Sequence, residues 1–186
     1  MSQDPLLLSN ETLRFNLDPD ASVSDDVIVG ALTKAGLRSH FFLDDTHFGG
    51  EITTAINISG FGEHPILDQK ISLFQELSAG QCQLFALCRA LVKVSSLRRS
   101  GAKPVILLDE VTSSLDSVTE STIYRIIDDE FTEKGHTVII VAHRLAVLKE
   151  HTKIGRNVVV LMADGRLQEV IEDLKTATFQ RLGQME

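Results

Sequence analysis

The sequence predicts an α/β fold in which a small parallel sheet stands beside a helical region. Three observations predict it. Val105 to Leu108 is a continuous apolar run ending in Asp109-Glu110, the pattern of a buried parallel strand. Thr137 to Ala142 is a second run of the same kind. Between them Ile123, Ile126, Ile127 and Phe131 recur at helical spacing, so the order is strand, helix, strand, a βαβ unit.

The elements follow in chain order. Ser24 to Ala35 is expected to be a helix: Ser24 can cap it, Asp25 and Asp26 suit the positive end of its dipole, and Gly36 is a natural stop. Val27, Ile28, Ala31, Leu32 and Ala35 supply one apolar stripe. Residues 37 to 76 hold core material, Phe41, Phe42, Phe48, Phe61 and Phe74, but their glycines break any period and no secondary structure is assigned. A helix starts at Ser78, with Gln81 at capping-box distance, and Leu84, Leu87, Cys88, Leu91 and Val92 on its inner face. Ser95 to Pro104 is expected to be a basic, polar loop. Ser117 and Glu120 form a second capping box, and Gly135 ends that helix. Asn157 to Met162, Asp164-Gly165 and Arg166 to Val170 spell a hairpin.

Composition narrows the function. Acidic residues outnumber basic ones 26 to 18, and a net charge of -8 argues against binding nucleic acid through a basic face. No apolar run approaches the ~20 residues that span a bilayer. The first residues, Met1 to Pro5, lack the basic and apolar regions of a secretory signal. A soluble chain is expected, with any membrane association supplied by partners. Cys82 and Cys88 would lie ~9 Å apart along one helix, too far for a disulfide. The histidines show no metal-ligand spacing.

Two constellations carry chemistry. In open α/β sheets ligands bind at the carboxyl ends of strands, where Asp109 and Glu110 stand. One carboxylate there can serve a metal-bound water and its neighbour a nucleophilic water; an acidic turn after a core strand is the simpler alternative. Leu77-Ser78-Ala79-Gly80-Gln81 opens a helix with free amides, a hydroxyl and small residues, which suits a phosphate. Plain N-capping by Ser78 and Gln81 satisfies the same residues. His143 follows the second strand and shares its carboxyl edge.

Taken in order, these pieces resemble the ATP-binding-cassette (ABC) ATPase family. Leu77 to Gln81 looks like its signature motif, and Val105 to Glu110 like its Walker B strand with the catalytic glutamate. Ser113-Ser114-Leu115-Asp116 resembles the D-loop, Val141-Ala142-His143-Arg144 the switch-histidine loop, and Gln3-Asp4-Pro5 the glutamine loop. Gln3 to Ser9 followed by Asn16-Leu17-Asp18-Pro19 is similar to the C subfamily, the multidrug-resistance-associated exporters, and Glu110 fits their second nucleotide-binding domain. Ala79 departs from the commoner glycine.

The resemblance implies an α/β, partial ABC-type P-loop NTPase fold: a parallel sheet with the Walker B and switch-histidine strands, plus a helical signature subdomain. Residues 1–95 would hold the glutamine loop and signature subdomain, and 96–186 part of the ATPase core. Asp109 and Gln3 would serve Mg²⁺, Glu110 the attacking water and His143 the γ-phosphate. Ser78, Ala79, Gly80 and Gln81 would act on ATP held by a second nucleotide-binding domain in a head-to-tail dimer, and Asp116 would communicate across it. Partners would be that domain and the transmembrane domains of the same transporter, at the cytoplasmic face of a membrane. One motif is missing. The phosphate loop requires G-x-x-x-x-G-K-[S/T], and the chain contains no Gly-Lys pair. In the family that loop lies upstream of the glutamine loop, so its half of the domain is expected to lie outside these 186 residues. The competing expectations are an ATPase part that drives export, a non-catalytic module offering a signature face, and a soluble ABC protein; the motif from Asn16 to Pro19 favours the transporter.

Overall fold

The computed structural model describes residues 6–42, 64–98, 101–111, 115–141 and 156–172. They fall into two compact units, 1–141 and 142–186.

The first unit opens with helices. Helix α1 (Leu13–Leu17) is capped by Thr12, whose hydroxyl accepts from the Phe15 amide at 3.0 Å. Helix α2 (Asp25–Lys34) has Ser24 at its N-cap, but the Ser24 side chain makes no cap hydrogen bond. Asp25 has a different task. Arg14 grips its carboxylate with both terminal nitrogens and reaches Asp68 with Nε at 2.9 Å. The His64 amide donates to Asp25 Oδ2 at 2.8 Å. One guanidinium therefore ties α1, α2 and the 3₁₀ turn Pro65–Asp68 together. Helix α3 (Arg38–Phe41) and a further 3₁₀ turn, Ile71–Leu73, complete the described structure of the segment left unassigned from sequence.

Helix α4 (Ala79–Arg98) runs 20 residues, so the loop expected from Ser95 begins later. Ser95 donates its hydroxyl to Leu91 O at 2.8 Å, which lets a polar residue sit inside the helix. Its buried face, Leu84, Phe85, Leu87, Cys88, Leu91 and Val92, meets α2. Phe41 stacks edge-on against Phe74 at 5.1 Å and tilts onto Phe85 at 5.8 Å. Each such side chain contributes about 1.5–3 kcal/mol by leaving water. Both cysteines are free thiols. Burial pushes the Cys88 thiol up to about 12, so it behaves as a small apolar residue.

Strand β1 (Val105–Asp109) pairs in parallel with β2 (Thr137–Val141), from Val105 opposite Thr137 to Asp109 opposite Val141. This is the expected βαβ order, with helix α5 (Ser117–Ile127) as the crossover. Burial differs from expectation. Ile106 and Leu108 are buried, but Val105, Leu107 and Ile139 are at least half exposed. A continuous apolar run suits a strand covered on both faces; the described residues cover one.

Asp116, not Ser117, caps α5, accepting from the Val118 and Thr119 amides at 3.0 Å each. Both residue types cap well, and the chain uses the earlier one. After Ile127 the helix widens into a π turn, Asp128–Thr132, where Glu133 N reaches Asp128 O and Phe131 is fully buried. Glu130 anchors this turn to Lys34 of α2 at 2.8 Å and also binds Lys134.

In the second unit β3 (Val159–Ala163) and β4 (Arg166–Ile171) form the expected antiparallel hairpin. Asp164 and Gly165 both take positive φ, 50° and 69°, the two-residue turn that matches strand twist. Among the described residues no helix is long and apolar enough to cross a membrane.

Candidate functional site

The predicted site residues form two clusters in the described structure, and both are built by local backbone geometry. The first is the carboxyl edge of the β1–β2 pair. Asp109 is the last residue of β1 and is exposed; Glu110 follows it half-buried. The ladder continues one step further, because the Glu110 amide donates to Val141 O at 3.0 Å. Glu110 also takes a φ of 47°. For a residue with a Cβ that region is sparsely populated, and such backbone is held only where the surroundings fix it. The strand therefore ends abruptly at Glu110, because a left-handed residue cannot continue the extended backbone of β1. Asp109 offers a hard oxygen donor in the open, the kind of ligand Mg²⁺ takes one or two of while keeping several waters. Gln3 and His143, the other two residues assigned to this edge, lie outside the described residues; in sequence His143 is two positions past Val141.

The second cluster is the paired start of α4 and α5. The capping box predicted at Ser78 is present: the Ser78 amide donates to Gln81 Oε1 at 2.9 Å, and the Gln81 amide donates to Ser78 Oγ at 3.3 Å. Ser78 O also accepts from the Cys82 amide at 2.8 Å. Ser78 and Ala79 are exposed, while Gly80 and Gln81 are half-buried. The Ser78 hydroxyl proton is still available to a donor-seeking ligand while its oxygen caps the helix. Asp116 caps α5 from an exposed position and receives a third bond, 2.7 Å, from the Thr119 hydroxyl. The Thr119 amide and hydroxyl bonds, in that order, hold the Asp116 carboxyl below the usual aspartate range. Thr119 was not singled out from sequence. Its position three residues after a good capping residue is a local signal, but nothing in the sequence places it against Gly80.

A buried asparagine joins the region after Gln3 to α4. Asn16 exchanges bonds with the Leu8 backbone, Oδ1 accepting from its amide and Nδ2 donating to its carbonyl, each at 2.9 Å. Arg89 of α4 donates to the Asn16 carbonyl and, at 3.3 Å, to its Oδ1. A cavity of about 460 Å³ opens beside this joint, lined among others by Leu6, Leu8, Phe15, Pro19 and Val92.

A mixed helix–strand chain with a small parallel sheet is compatible with part of an ABC-type domain. Sequence comparison points the same way. The chain is 32% identical over 167 residues to ABC transporter C family member 9 of Arabidopsis thaliana, which covers 90% of this chain and 9% of that protein. It is 37% identical over 154 residues to multidrug resistance protein mrp-7 of Caenorhabditis elegans, 82% of this chain and 8% of that protein. It is 30% identical over 167 residues to ATP-binding cassette sub-family C member 8 of Homo sapiens, again 90% and 8%. No family model matches the chain. The chain is thus related in sequence to ABC transporters, C-family members among them, and spans less than a tenth of the length of these relatives.

Proposed function

We propose that the chain is the part of a C-family nucleotide-binding domain, most like the second one, that runs from the glutamine loop to the switch histidine. In that role it takes part in ATP hydrolysis that drives export through transmembrane domains at the cytoplasmic face of a membrane. Residues 1–95 carry the signature face and 96–186 the hydrolytic edge. The observation that carries this reading is the β1–β2 carboxyl edge. Two adjacent carboxylates stand at the end of a parallel strand, and the second of them takes the positive φ at which the strand stops.

The residues divide the work by chemistry. Asp109 and Gln3 would hold Mg²⁺, which on binding would neutralise phosphate charge. Glu110 takes the proton of the attacking water, and His143 contacts the γ-phosphate. Ser78 donates its hydroxyl proton, and Gly80 and Gln81 face an ATP held by a second nucleotide-binding domain, with Ala79 small enough to allow the approach. Asp116 meets that domain.

The test is Glu110→Gln in a protein where this chain is joined to a segment carrying a phosphate loop. Losing a general base costs ~10²–10⁴-fold in rate. Nucleotide should be retained, because a charge that repels phosphate is gone. Phosphate release within a few-fold of the parent would reject Glu110 as the base. Asp109→Asn should weaken Mg²⁺-dependent binding and turnover together. A second reading, a non-catalytic module that lends its signature face, is favoured by the absence of any G-x-x-x-x-G-K-[S/T] motif in these residues. Calorimetry separates the two for the chain alone: very weak Mg-ATP binding is expected, and micromolar affinity would overturn that expectation.

A further inference from the structure

The starts of α4 and α5 touch through a glycine and a threonine. A Cβ placed on Gly80 would lie 3.2 Å from Thr119 Cγ2 and 3.4 Å from Thr119 Oγ1. The first distance is shorter than the ~3.5–4.0 Å at which carbon atoms pack best, so any side chain at position 80 must displace Thr119. Thr119 is not loose. Its hydroxyl donates to Asp116 Oδ2 at 2.7 Å and its amide to Asp116 Oδ1 at 3.0 Å. One half-buried side chain turns its methyl to one helix start and its hydroxyl to the cap of the other. Further along, both helices are fixed. Phe85, Leu87 and Cys88 of α4 and Ile123 of α5 are fully buried. A close-packed core does not slide to relieve a clash, so strain at this contact is confined to the two first turns.

We propose that Thr119 is a positioning residue that locks Asp116 and the turn from Ser78 to Gln81 into one geometry, so that a displacement at Asp116 is delivered to Ser78 and Gly80 within the same chain. Its functional weight rests on the reading of Ser78 to Gln81 as a phosphate contact and of Asp116 as a contact with a second domain. Ligands on these two groups then affect each other reciprocally, as linkage requires. The Gly80–Thr119 contact itself depends on geometry alone.

Residue-resolved amide hydrogen exchange on the full chain, without nucleotide, tests the link. Gly80→Ala should crowd Thr119 and speed exchange about tenfold at the Val118, Thr119 and Glu120 amides, all of which Asp116 accepts. Thr119→Ser removes the γ-methyl, the half of the link that meets Gly80, but keeps the hydroxyl. Alone it should leave the Asp116-bonded amides as in the parent and speed exchange at Gln81 and Cys82, and in combination it should relieve the Gly80→Ala effect on α5. Thr119→Val keeps the shape but drops the bond to Asp116, and should speed exchange at the Gln81 and Cys82 amides on the other helix. A Gly80→Ala effect confined to α4, or one that Thr119→Ser does not relieve, overturns the proposal. Should Gly80→Ala unfold the chain, Thr119→Val decides: unchanged Gln81 and Cys82 exchange refutes the link. No nucleotide is present, so a negative result here leaves the ATP reading intact. A normal rate for Glu110→Gln would in turn leave this contact standing.

Discussion

Single residues in this chain are worth most where they join elements that share no sequence neighbourhood. Arg14 is the clearest case, because Asp25 is only 5% exposed and depends on it. Removing one partner leaves a carboxylate in a poor solvent, whereas an exposed pair would matter little. Arg14→Met is therefore expected to cost about 2 kcal/mol or more in urea unfolding. Adding Asp25→Asn to it should recover part of that loss, since no charge is then stranded. Recovery of nothing would mean that Arg14 acts by packing rather than by charge. Asn16 is a similar joint, built from bonds to the Leu8 backbone and from the Arg89 guanidinium. Asn16→Leu would take the partner of the Leu8 amide, while the Leu8 carbonyl keeps the Glu11 amide, so with Leu8 itself exposed the cost from this joint should be about 1 kcal/mol in urea unfolding.

At the scale of elements, two glycines make opposite predictions. Gly135 takes a φ of 76° after the π turn, and a Cβ there would meet nothing within 4 Å. The cost of Gly135→Ala is then backbone strain alone, roughly 1–2 kcal/mol. Gly30 lies inside α2, and a Cβ there also meets nothing within 4 Å. Gly30→Ala should stabilise by about 0.5–1 kcal/mol, because the unfolded chain loses freedom and the helix gains a better former. Thermal unfolding of the two variants should move in opposite directions, and a shared sign would contradict one of the two backbone assignments. Elements also determine the candidate site. The abrupt stop at Glu110 and the cap at Asp116 are both properties of how a strand or helix ends.

For the whole molecule, charge and surface set the behaviour. The Arg14 hydrogen bond holds the Asp25 carboxyl below its ordinary value, against an opposing push from burial, and the His64 amide adds to it. Burial pushes Glu130 up, but hydrogen bonds from Lys134 and then Lys34 outweigh it and the net shift is down. Carboxylates depressed in the folded state contribute stability that is full above their unfolded values and is lost as pH falls through the folded ones. The urea midpoint should be flat near neutrality and fall between about pH 5 and pH 2. Asp25→Asn should flatten part of that fall. The open face of the β1–β2 pair, where Val105, Leu107, Ile139 and Val141 are 59%, 56%, 50% and 43% exposed, is apolar and borne on strands. Such surfaces template association. Sedimentation of the isolated chain should show self-association that grows with concentration, and Val105→Thr with Ile139→Thr should reduce it. A monodisperse monomer with a reversible melt would contradict this.

Legible in the sequence alone were helices α2, α4 and α5, the parallel pair with its helical crossover, the hairpin turn and the capping box at Ser78, and the placing of Asp109 and Glu110 at the end of a strand; helices α1 and α3 and the two 3₁₀ turns were not. The legible features depend on apolar period and on end chemistry, which act over a few neighbouring residues and are written in the local sequence. The sequence placed the α5 cap one residue late, because Asp116 and Ser117 are both good caps and only the folded backbone chooses. It ended α4 four residues early, because Ser95 in isolation favours a loop and its bond to Leu91 O is visible only once the helix exists. The folded chain alone reveals that Arg14 serves Asp25, that Asn16 joins Leu8 to Arg89, that the described residues cover one face of the sheet and that Gly80 meets Thr119. Those pairs lie 8 to 73 residues apart or on separate helices, and a chain of letters carries no distance between them. Their partners are fixed by how buried faces stack, a property of the whole core and not of any one segment.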